Sequence, residues 1–228
     1  LMDYTFPDPQ ADDPARRFRG HVRTGDTTSP GMTFDLYFSP DFRTWTPYAD
    51  NPVIDTSPRI GRWGPTAFMG WDPIRQVYAA HMENCRHRRA PLDKRLIGRS
   101  ESPDGIAWSE PETILLPDGQ DPPDTEFYHM PCIAYEGVYV GLLWIFRTTN
   151  TTHHPEVVFS RDGIRYRRDY RQPFIDRGGG IDFDSVSLYA SEPIVHDDRI
   201  LTFYTGRNWR SPETLLDLGE RARGAIGL

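Results

Sequence analysis

Apolar and polar residues alternate along most of the chain in short runs, which is the pattern of half-buried β-strands. Pro, Gly and Asp interrupt these runs, so the sequence predicts many short strands joined by turns. The longest apolar run, VYVGLLWIF (138–146), is far shorter than the roughly 20 residues of a membrane-spanning helix and indicates a buried strand. Only TLLDLGERARG (214–224) predicts a helix. The pattern favours an all-β architecture.

One turn sequence occurs three times in the chain. It reads SPDFRTW from residue 39, SPDGIAW from residue 102 and SRDGIRY from residue 160. The turn aspartates Asp41, Asp104 and Asp162 are 63 and then 58 residues apart, and an aromatic residue follows each of them four positions later. Asp bonds nearby backbone amides and Gly accepts positive φ, so these segments are predicted to be tight turns. We expect the aromatic ring to pack between neighbouring repeats.

The strands around each turn repeat in the same order. The unit is strand, turn, strand, long loop, strand, Ser–Asp turn and strand, which makes four antiparallel strands with a period near 60 residues. A four-stranded unit repeated at such a period predicts a β-propeller blade. A fourth unit begins at PIVHDDRILTFYTGRNW (193–209), with a hairpin turn at 196–199, and reaches the chain end before its Ser–Asp turn. The first unit shows no clear first strand.

We therefore expect residues 1–228 to form a single β-propeller domain of five-bladed type, incomplete at both ends, of which the chain covers about three to four blades.

Composition and charge narrow the possible partners. The net charge is −7 and the pI is about 5.5, and carboxylates surround the arginine-rich stretches RHRRA (86–90) and RYRRDYR (165–171). A duplex-binding domain normally presents a basic face, so nucleic acid is not an expected partner, and neither is a membrane. Two cysteines are too few for a disulfide scaffold or a zinc site. No signal-peptide pattern is visible, and the compartment is left open.

Several segments together resemble a known family. The hairpins WDPIRQVYAAH and YEGVYVGLLWIF, the turns SPDGIAW and SRDGIRY, and the ending DRILTFYTGRN…GAIGL resemble the five-bladed propellers of the arabinanase, levansucrase and invertase superfamily. The chain is most similar to invertase-like proteins of the glycoside hydrolase family 32 type. The resemblance covers nearly the whole chain, and its motifs mark the scaffold.

The resemblance implies a glycosidase or transglycosylase for furanosyl-type or related glycans. Such enzymes place carboxylates from the first strands of different blades in the central channel. A glycosidic bond needs one carboxylic acid to protonate the leaving oxygen and a second carboxylate as nucleophile or base. The alternative is a non-catalytic carbohydrate-binding or assembly propeller that has lost an acid. Carbohydrate is the expected partner in both cases.

The segment DTEFYHMP (124–131) is the best candidate for channel acids. Asp124 and Glu126 alternate, so both carboxylates face one side if the segment is extended, and Tyr128 shares that side. His129 leads into a buried strand. We expect Asp124 and Glu126 to be catalytic and Tyr128 and His129 to contact substrate, with an exposed loop as the alternative interpretation.

A second candidate segment is GGGIDFDSVSLYASEP (178–193). Asp184 is expected to be the third catalytic carboxylate, with Asp182 on the same face, and Glu192 stands directly before the next strand pair. A loop that merely crosses between blades is the alternative. The expected substrate-binding residues are Trp63, Tyr128, His129, Asp182, Glu192, Trp209 and Arg210.

One part of the family pattern is missing. WGPTAF (63–68) has no acid where the second blade of the family often has an Asp before its first strand, which favours the non-catalytic alternative. Asp72 is interpreted as a hairpin-turn residue. No cofactor is expected, and a central Ca²⁺ ion is left open although no loop has a calcium-binding spacing. The sugar, the linkage, the stereochemical outcome and the oligomeric state are left open.

Overall fold

The chain is almost entirely built from strands and turns, as predicted. The computed structural model describes residues 2–24, 33–55, 63–84, 94–180, 182–210 and 222–228. Within these ranges there are 18 strands and one short 3₁₀ helix, Pro14–Arg16. No helix in them has the length and apolar character needed to cross a membrane. The helix predicted at 214–224 falls almost wholly outside the described residues, and Gly224 begins a strand.

The structure divides into two compact units, residues 1–114 and 115–228. Unit 1 holds sheet 1 and sheet 2. The strands of sheet 1 are β1 (Tyr4–Pro7), β2 (Phe18–Thr24), β3 (Thr33–Ser39), β4 (Thr46–Pro47) and β5 (Ile54–Asp55). β1 pairs antiparallel with β2, so the expectation that the first unit lacks a clear first strand was wrong. β1 has only four residues and ends at Pro7, which is too short for a visible alternation.

Sheet 2 contains the first of the predicted hairpins. Its strands are β6 (Trp63–Asp72), β7 (Val77–Asn84), β8 (Leu96–Ser102) and β9 (Glu112–Leu115). Asp72 closes the β6–β7 turn, because its Oδ1 accepts hydrogen bonds from the amides of Ile74 at 3.0 Å and Arg75 at 3.1 Å. Its Oδ2 accepts a hydrogen bond from Arg99 at 2.6 Å. Asp72 is therefore a turn residue, as predicted.

Aromatic side chains fill the core between the two sheets of unit 1. The buried core residues are Phe6, Phe34, Ile54, Phe68, Tyr78, Ala80 and Met82. Trp108, from the second Ser–Asp turn, packs on Phe68 of sheet 2 and His21 of sheet 1 at ring distances of 5.5 and 6.4 Å. This aromatic residue lies between repeats as expected. The other two do not, because Trp45 packs against Gly20 of its own sheet and Tyr166 bonds Cys132 of its own sheet.

Unit 2 holds sheet 3 and sheet 4. The strands of sheet 3 are β10 (Thr125–His129), β11 (Cys132–Tyr135), β12 (Val138–Arg147) and β13 (Thr152–Ser160). The strands of sheet 4 are β14 (Ser187–Ala190), β17 (Tyr204–Arg207) and β18 (Gly224–Gly227), while β15 (Ile194–His196) and β16 (Arg199–Leu201) pair with each other in a separate two-stranded sheet. β10 and β11 both pair with β12, so they form one interrupted first strand. A single parallel bridge, His153 to Ser187, joins the two sheets.

The three Ser–Asp turns have the same hydrogen bonds. In the second turn, Ser102 Oγ accepts from the amide of Gly105 at 2.8 Å, and Asp104 Oδ1 accepts from Ile106 and Ala107 at 2.8 Å each. The first and third turns repeat these bonds within a few tenths of an ångström. The fourth residue has positive φ in all three, 72° at Gly105 and at Gly163 and 64° at Phe42. A phenylalanine thus adopts the conformation that favours glycine.

Arg19 ties sheet 1 to the second Ser–Asp turn, and alanine at Gly105 tests this tie. The Arg19 guanidinium donates to Asp104 O at 2.7 Å and to Asp8 at 2.6 Å, and a Cβ at Gly105 would collide with it. Gly137 is the matched control, since it has φ +77° and open space around a Cβ. We expect Gly137→Ala to lower the free energy of unfolding by about 1 kcal/mol and Gly105→Ala by about 1–2 kcal/mol more. Urea unfolding of both variants measures this, and equal losses would contradict the role of Arg19.

Candidate active site

Five strands of unit 2 place one residue each in a continuous row. Glu126 of β10 is opposite Phe146 of β12, which is opposite His153 of β13. His153 is bridged to Ser187 of β14, and Ser187 is opposite Arg207 of β17. β10 and β14, which are the first strands of sheet 3 and sheet 4, both begin close to this row. Side chains just before β10 and β14 therefore lie at the same edge of the two sheets.

Asp124 lies in the turn directly before β10. Arg147, at the end of β12, donates to its Oδ1 through Nε at 2.8 Å and Nη2 at 2.5 Å. The Arg147 guanidinium holds the pKa of the Asp124 carboxyl below its usual range, because it stabilises the charged form. Asp124 is half-buried, so this carboxylate is ionised and remains accessible. It suits the role of nucleophile or base, and not that of proton donor.

Glu126 is buried within β10, with 9% of its surface exposed. It lies on the face of the sheet that carries Phe146, since residues directly opposite in a ladder share a face. The register shifts between Phe127 and His129, so the simple alternation assumed from the sequence ends at Tyr128.

An aromatic cluster covers this face of sheet 3 and reaches sheet 4. Its members are Tyr128, His129, Trp144, Phe146, His153 and Tyr189. The Tyr128 and Trp144 rings stack at 6.4 Å, and Trp144 Nε1 donates to Ala190 O at 3.0 Å. Four of the six side chains are half-buried, so part of the cluster is exposed to solvent. Such faces bind the apolar side of sugar rings.

Asp182 and Asp184 do not alternate along an extended strand, which corrects the basis of the prediction, although both side chains approach Gly178. Residues 182–186 form turns, because the Asp182 amide donates to Gly179 O and the Ser185 amide donates to Asp182 O, both at 3.1 Å. Asp182 is exposed, and its Oδ2 accepts from the Gly179 amide at 3.1 Å, so it closes its own loop. Asp184 is half-buried before β14 and accepts a long hydrogen bond from Tyr204 at 3.5 Å. Burial, followed by the Asp184 charge, raises the pKa of Tyr204.

Glu192 differs from the other carboxyls of unit 2. It lies in the segment between β14 and β15, and it is half-buried. Burial raises the pKa of Glu192 to about 7. No side chain in the described part of unit 2 forms an ion pair with it. A carboxyl that keeps its proton to neutral pH can act as a general acid.

The other predicted substrate-binding residues are less informative. Trp63 is the first residue of β6, and its side chain lies outside what the structure describes. Trp209 is half-buried against β18, where a Cβ at Gly224 would approach its ring to 2.9 Å. Arg210 follows it and is exposed.

Sequence reasoning missed Arg147, Trp144, His153, Tyr189 and Arg207. Four of them, Trp144, Arg147, His153 and Arg207, lie on the second or third strand of their sheet. Only the pairing of these strands shows that the four residues lie next to the first strands. Tyr189 could have been found, because it lies two residues beyond Ser187 in a run that begins with Asp184. Among the described residues, no group of three or more His, Cys, Asp or Glu side chains is placed to hold a metal ion.

Comparisons with known proteins show the fold. No protein-family profile and no curated protein sequence matches the chain. Solved structures do match, including one described as a glycoside hydrolase, with TM-score 0.63, 14% identity, and coverage of 92% of this chain and 61% of that one. A thermostable family-43 glycoside hydrolase matches with TM-score 0.56, 12% identity, and coverage of 86% and 64%. Sucrose-6-phosphate hydrolase from Lactobacillus gasseri matches with TM-score 0.58, 12% identity, and coverage of 90% and 40%.

The chain has the fold of the β-propeller glycoside hydrolases. It spans 61% of the first of these structures and 40% of the sucrose-6-phosphate hydrolase. The four sheets correspond to the predicted blades, and the prediction of a partial propeller of four-stranded antiparallel blades is confirmed. The low sequence identity limits the likeness to the fold, so the function must be argued from the site.

Proposed function

We propose that the protein cleaves or transfers glycosidic bonds, with furanosyl-type or related glycans as substrates. Glu192 acts as the general acid, and Asp124 acts as the ionised nucleophile or base. Glu126 and Asp184 complete the carboxylate set, in which Asp124, Glu126 and Asp184 lie at the start of the first strands and Glu192 lies beyond the end of β14. Tyr128, His129 and the other rings of the aromatic cluster hold the sugar.

The opposite pKa shifts of Glu192 and Asp124 carry this proposal. Burial raises the pKa of Glu192 to about 7, whereas Arg147 lowers the pKa of Asp124. Two carboxyls whose surroundings separate their pKa values are the requirement for glycoside hydrolysis, because one must donate a proton while the other stays charged. Asp124 precedes the start of β10, whereas Glu192 follows the end of β14, five residues beyond Ser187 of the row. The solved structures that share the fold include enzymes named as glycoside hydrolases, which supports the same reaction class.

A non-catalytic carbohydrate-binding propeller is the second candidate. Two observations favour it: Asp124 is already held in an ion pair with Arg147, and residues 63–68 at the start of β6 contain no acid. A partly exposed aromatic cluster can bind sugar equally well in a protein without turnover.

Activity measurements on the whole chain separate these candidates. The protein is incubated with fructans, arabinans and aryl furanosides, and the variants Asp124→Asn, Glu126→Gln and Asp184→Asn are compared with it. We expect Asp124→Asn to lower kcat at least about 100-fold, since it removes the charge that attacks or activates water. Asp169→Asn is the control, because Asp169 pairs only with the exposed Arg167 among the described residues.

Each result has a definite meaning. Glycan binding without turnover in the parent protein establishes the carbohydrate-binding alternative. Turnover that survives all three substitutions unchanged rules out these carboxylates as the catalytic set.

A further inference from the structure

Arg207 occupies the last position of the residue row, at the start of sheet 4. It ends β17 and lies opposite Ser187 of β14, and its guanidinium carbon lies 5.2 Å from the centre of the Tyr189 ring. Tyr189 lies two residues beyond Ser187 on β14 and therefore on the same face of the sheet as Arg207. Arg207 is thus placed beside the aromatic cluster of the proposed site.

The charge of Arg207 is not neutralised by the part of the chain that the structure describes. The other buried or half-buried arginines in the described part of unit 2 are each paired with a carboxylate, Arg147 with Asp124, Arg168 with Asp121 and Arg171 with Asp118. Arg207 has none within those residues, and its Nε is buried without a hydrogen-bond acceptor there. A buried donor without an acceptor destabilises the folded state, so such groups commonly mark a place where a ligand supplies the acceptor.

The surroundings of Arg207 are held rigidly. The Tyr189 hydroxyl bonds His153 Nδ1 at 3.2 Å, and His153 Nδ1 also contacts Ser187 Oγ at 3.1 Å. The His153 ring stacks on Phe146 at 4.5 Å. The aromatic face under the guanidinium fixes its plane, which is the arrangement in which arginine binds carboxylate or phosphate oxygens through two parallel hydrogen bonds.

We propose that Arg207 is an anion subsite of the glycan-binding site, and that the substrate carries a negatively charged group. The group is a carboxylate, as in a uronic acid, or a phosphate ester. This rests on the proposed binding of carbohydrate by the site. It adds a specificity that neutral furanosides do not satisfy, since they leave the guanidinium without an acceptor.

Calorimetric binding of matched neutral and anionic sugars tests the subsite. Glucose is compared with glucuronate, and fructose with fructose 6-phosphate, so that the two arms distinguish carboxylate from phosphate. We expect the anionic member of at least one pair to bind about 10- to 100-fold more tightly, and the difference to shrink as salt increases. Arg207→Met should abolish the preference, and Arg207→Lys should retain part of it.

Arg199→Met is the matched control, because Arg199 is exposed on β16 of the same unit. Three results would overturn the subsite. The parent protein could bind both members of each pair equally, it could bind neither anionic sugar, or the preference could survive in Arg207→Met. Thermal unfolding of the variants confirms that they fold. An anion preference without turnover of any glycan would retain the subsite and reject the hydrolase, whereas turnover without the preference would do the reverse.

Discussion

Glu192→Gln is expected to lower kcat on natural glycans by about 10²- to 10⁴-fold, because it removes the group that protonates the leaving oxygen. The loss should be much smaller for p-nitrophenyl furanosides, whose leaving group departs without a proton. If Glu192 had a purely structural role, the substitution would reduce kcat on both kinds of substrate alike. Glu136→Gln is the control, since Glu136 is exposed in the β11–β12 hairpin turn of sheet 3.

The pH dependence of the parent protein gives a second readout of Glu192. Activity should fall as pH rises through about 7, because the acid then loses its proton. The free energy of unfolding should also depend on the protonation of the Glu192 carboxyl. The pKa of Glu192 is higher in the folded state than its ordinary 4.5, so its contribution is complete below pH 4.5 and is lost as pH rises to about 7.

This stability difference can be measured without any substrate. At about 1.4 kcal/mol per pKa unit, the parent should lose at most about 3 kcal/mol relative to Glu192→Gln between pH 4.5 and 7.5. Urea unfolding at these two pH values measures the difference. An identical pH dependence in parent and variant would show that Glu192 titrates normally, and the assignment as general acid would be lost.

Arg99→Met is expected to lower the free energy of unfolding by about 3–5 kcal/mol, because it leaves the buried carboxylate of Asp72 without its counter-charge. The two side chains are 1% and 0% exposed and meet at 2.6 Å. Arg99 also donates to Glu101 at 2.8 Å. Arg75→Met is the control, since its bond to Glu101 is largely exposed and should contribute less than about 1 kcal/mol.

The double variant Arg99→Met/Asp72→Asn shows whether the uncompensated charge causes the loss. Asparagine keeps the Oδ1 acceptor that closes the β6–β7 turn, while it removes the charge of Asp72. We therefore expect the double variant to be more stable than Arg99→Met alone, as measured by urea unfolding. A double variant that is less stable by the sum of the two single effects would show that packing, and not charge, dominates at this position.

The repeat could be predicted from sequence because its determinants are local. The hydrogen bonds of each Ser–Asp turn join residues at most three positions apart, so the pattern of Ser, Asp and Gly was enough to find it. The hairpin around Glu136 and Gly137 has a similarly local origin. β1 was missed since a four-residue strand that ends in proline has too few positions to show a period.

The site was predicted only in part, because its properties depend on residues distant in sequence. Asp124 and Glu126 could be found from their position before an apolar strand, and they remain candidate carboxylates. The ion pair of Asp124 with Arg147 spans 23 residues and could not be inferred. The raised pKa of Glu192 comes from burial by the folded chain, so the sequence suggested a substrate contact and not a proton donor. For Arg207, what matters is that no carboxylate among the described residues forms an ion pair with it, and this depends on the folded chain.

The Ser–Asp turns also affect how easily a repeat of this kind can be duplicated within a chain. Each turn satisfies its own backbone amides with two side chains from the same short segment, without help from a neighbouring sheet. A gene segment that encodes one repeat therefore also encodes the complete Ser–Asp turn of that repeat, and a duplication copies both together. The turn tolerates drift as well, since Phe42 takes the place of glycine at positive φ. Repeats of this kind can multiply first and diverge in their site residues afterwards.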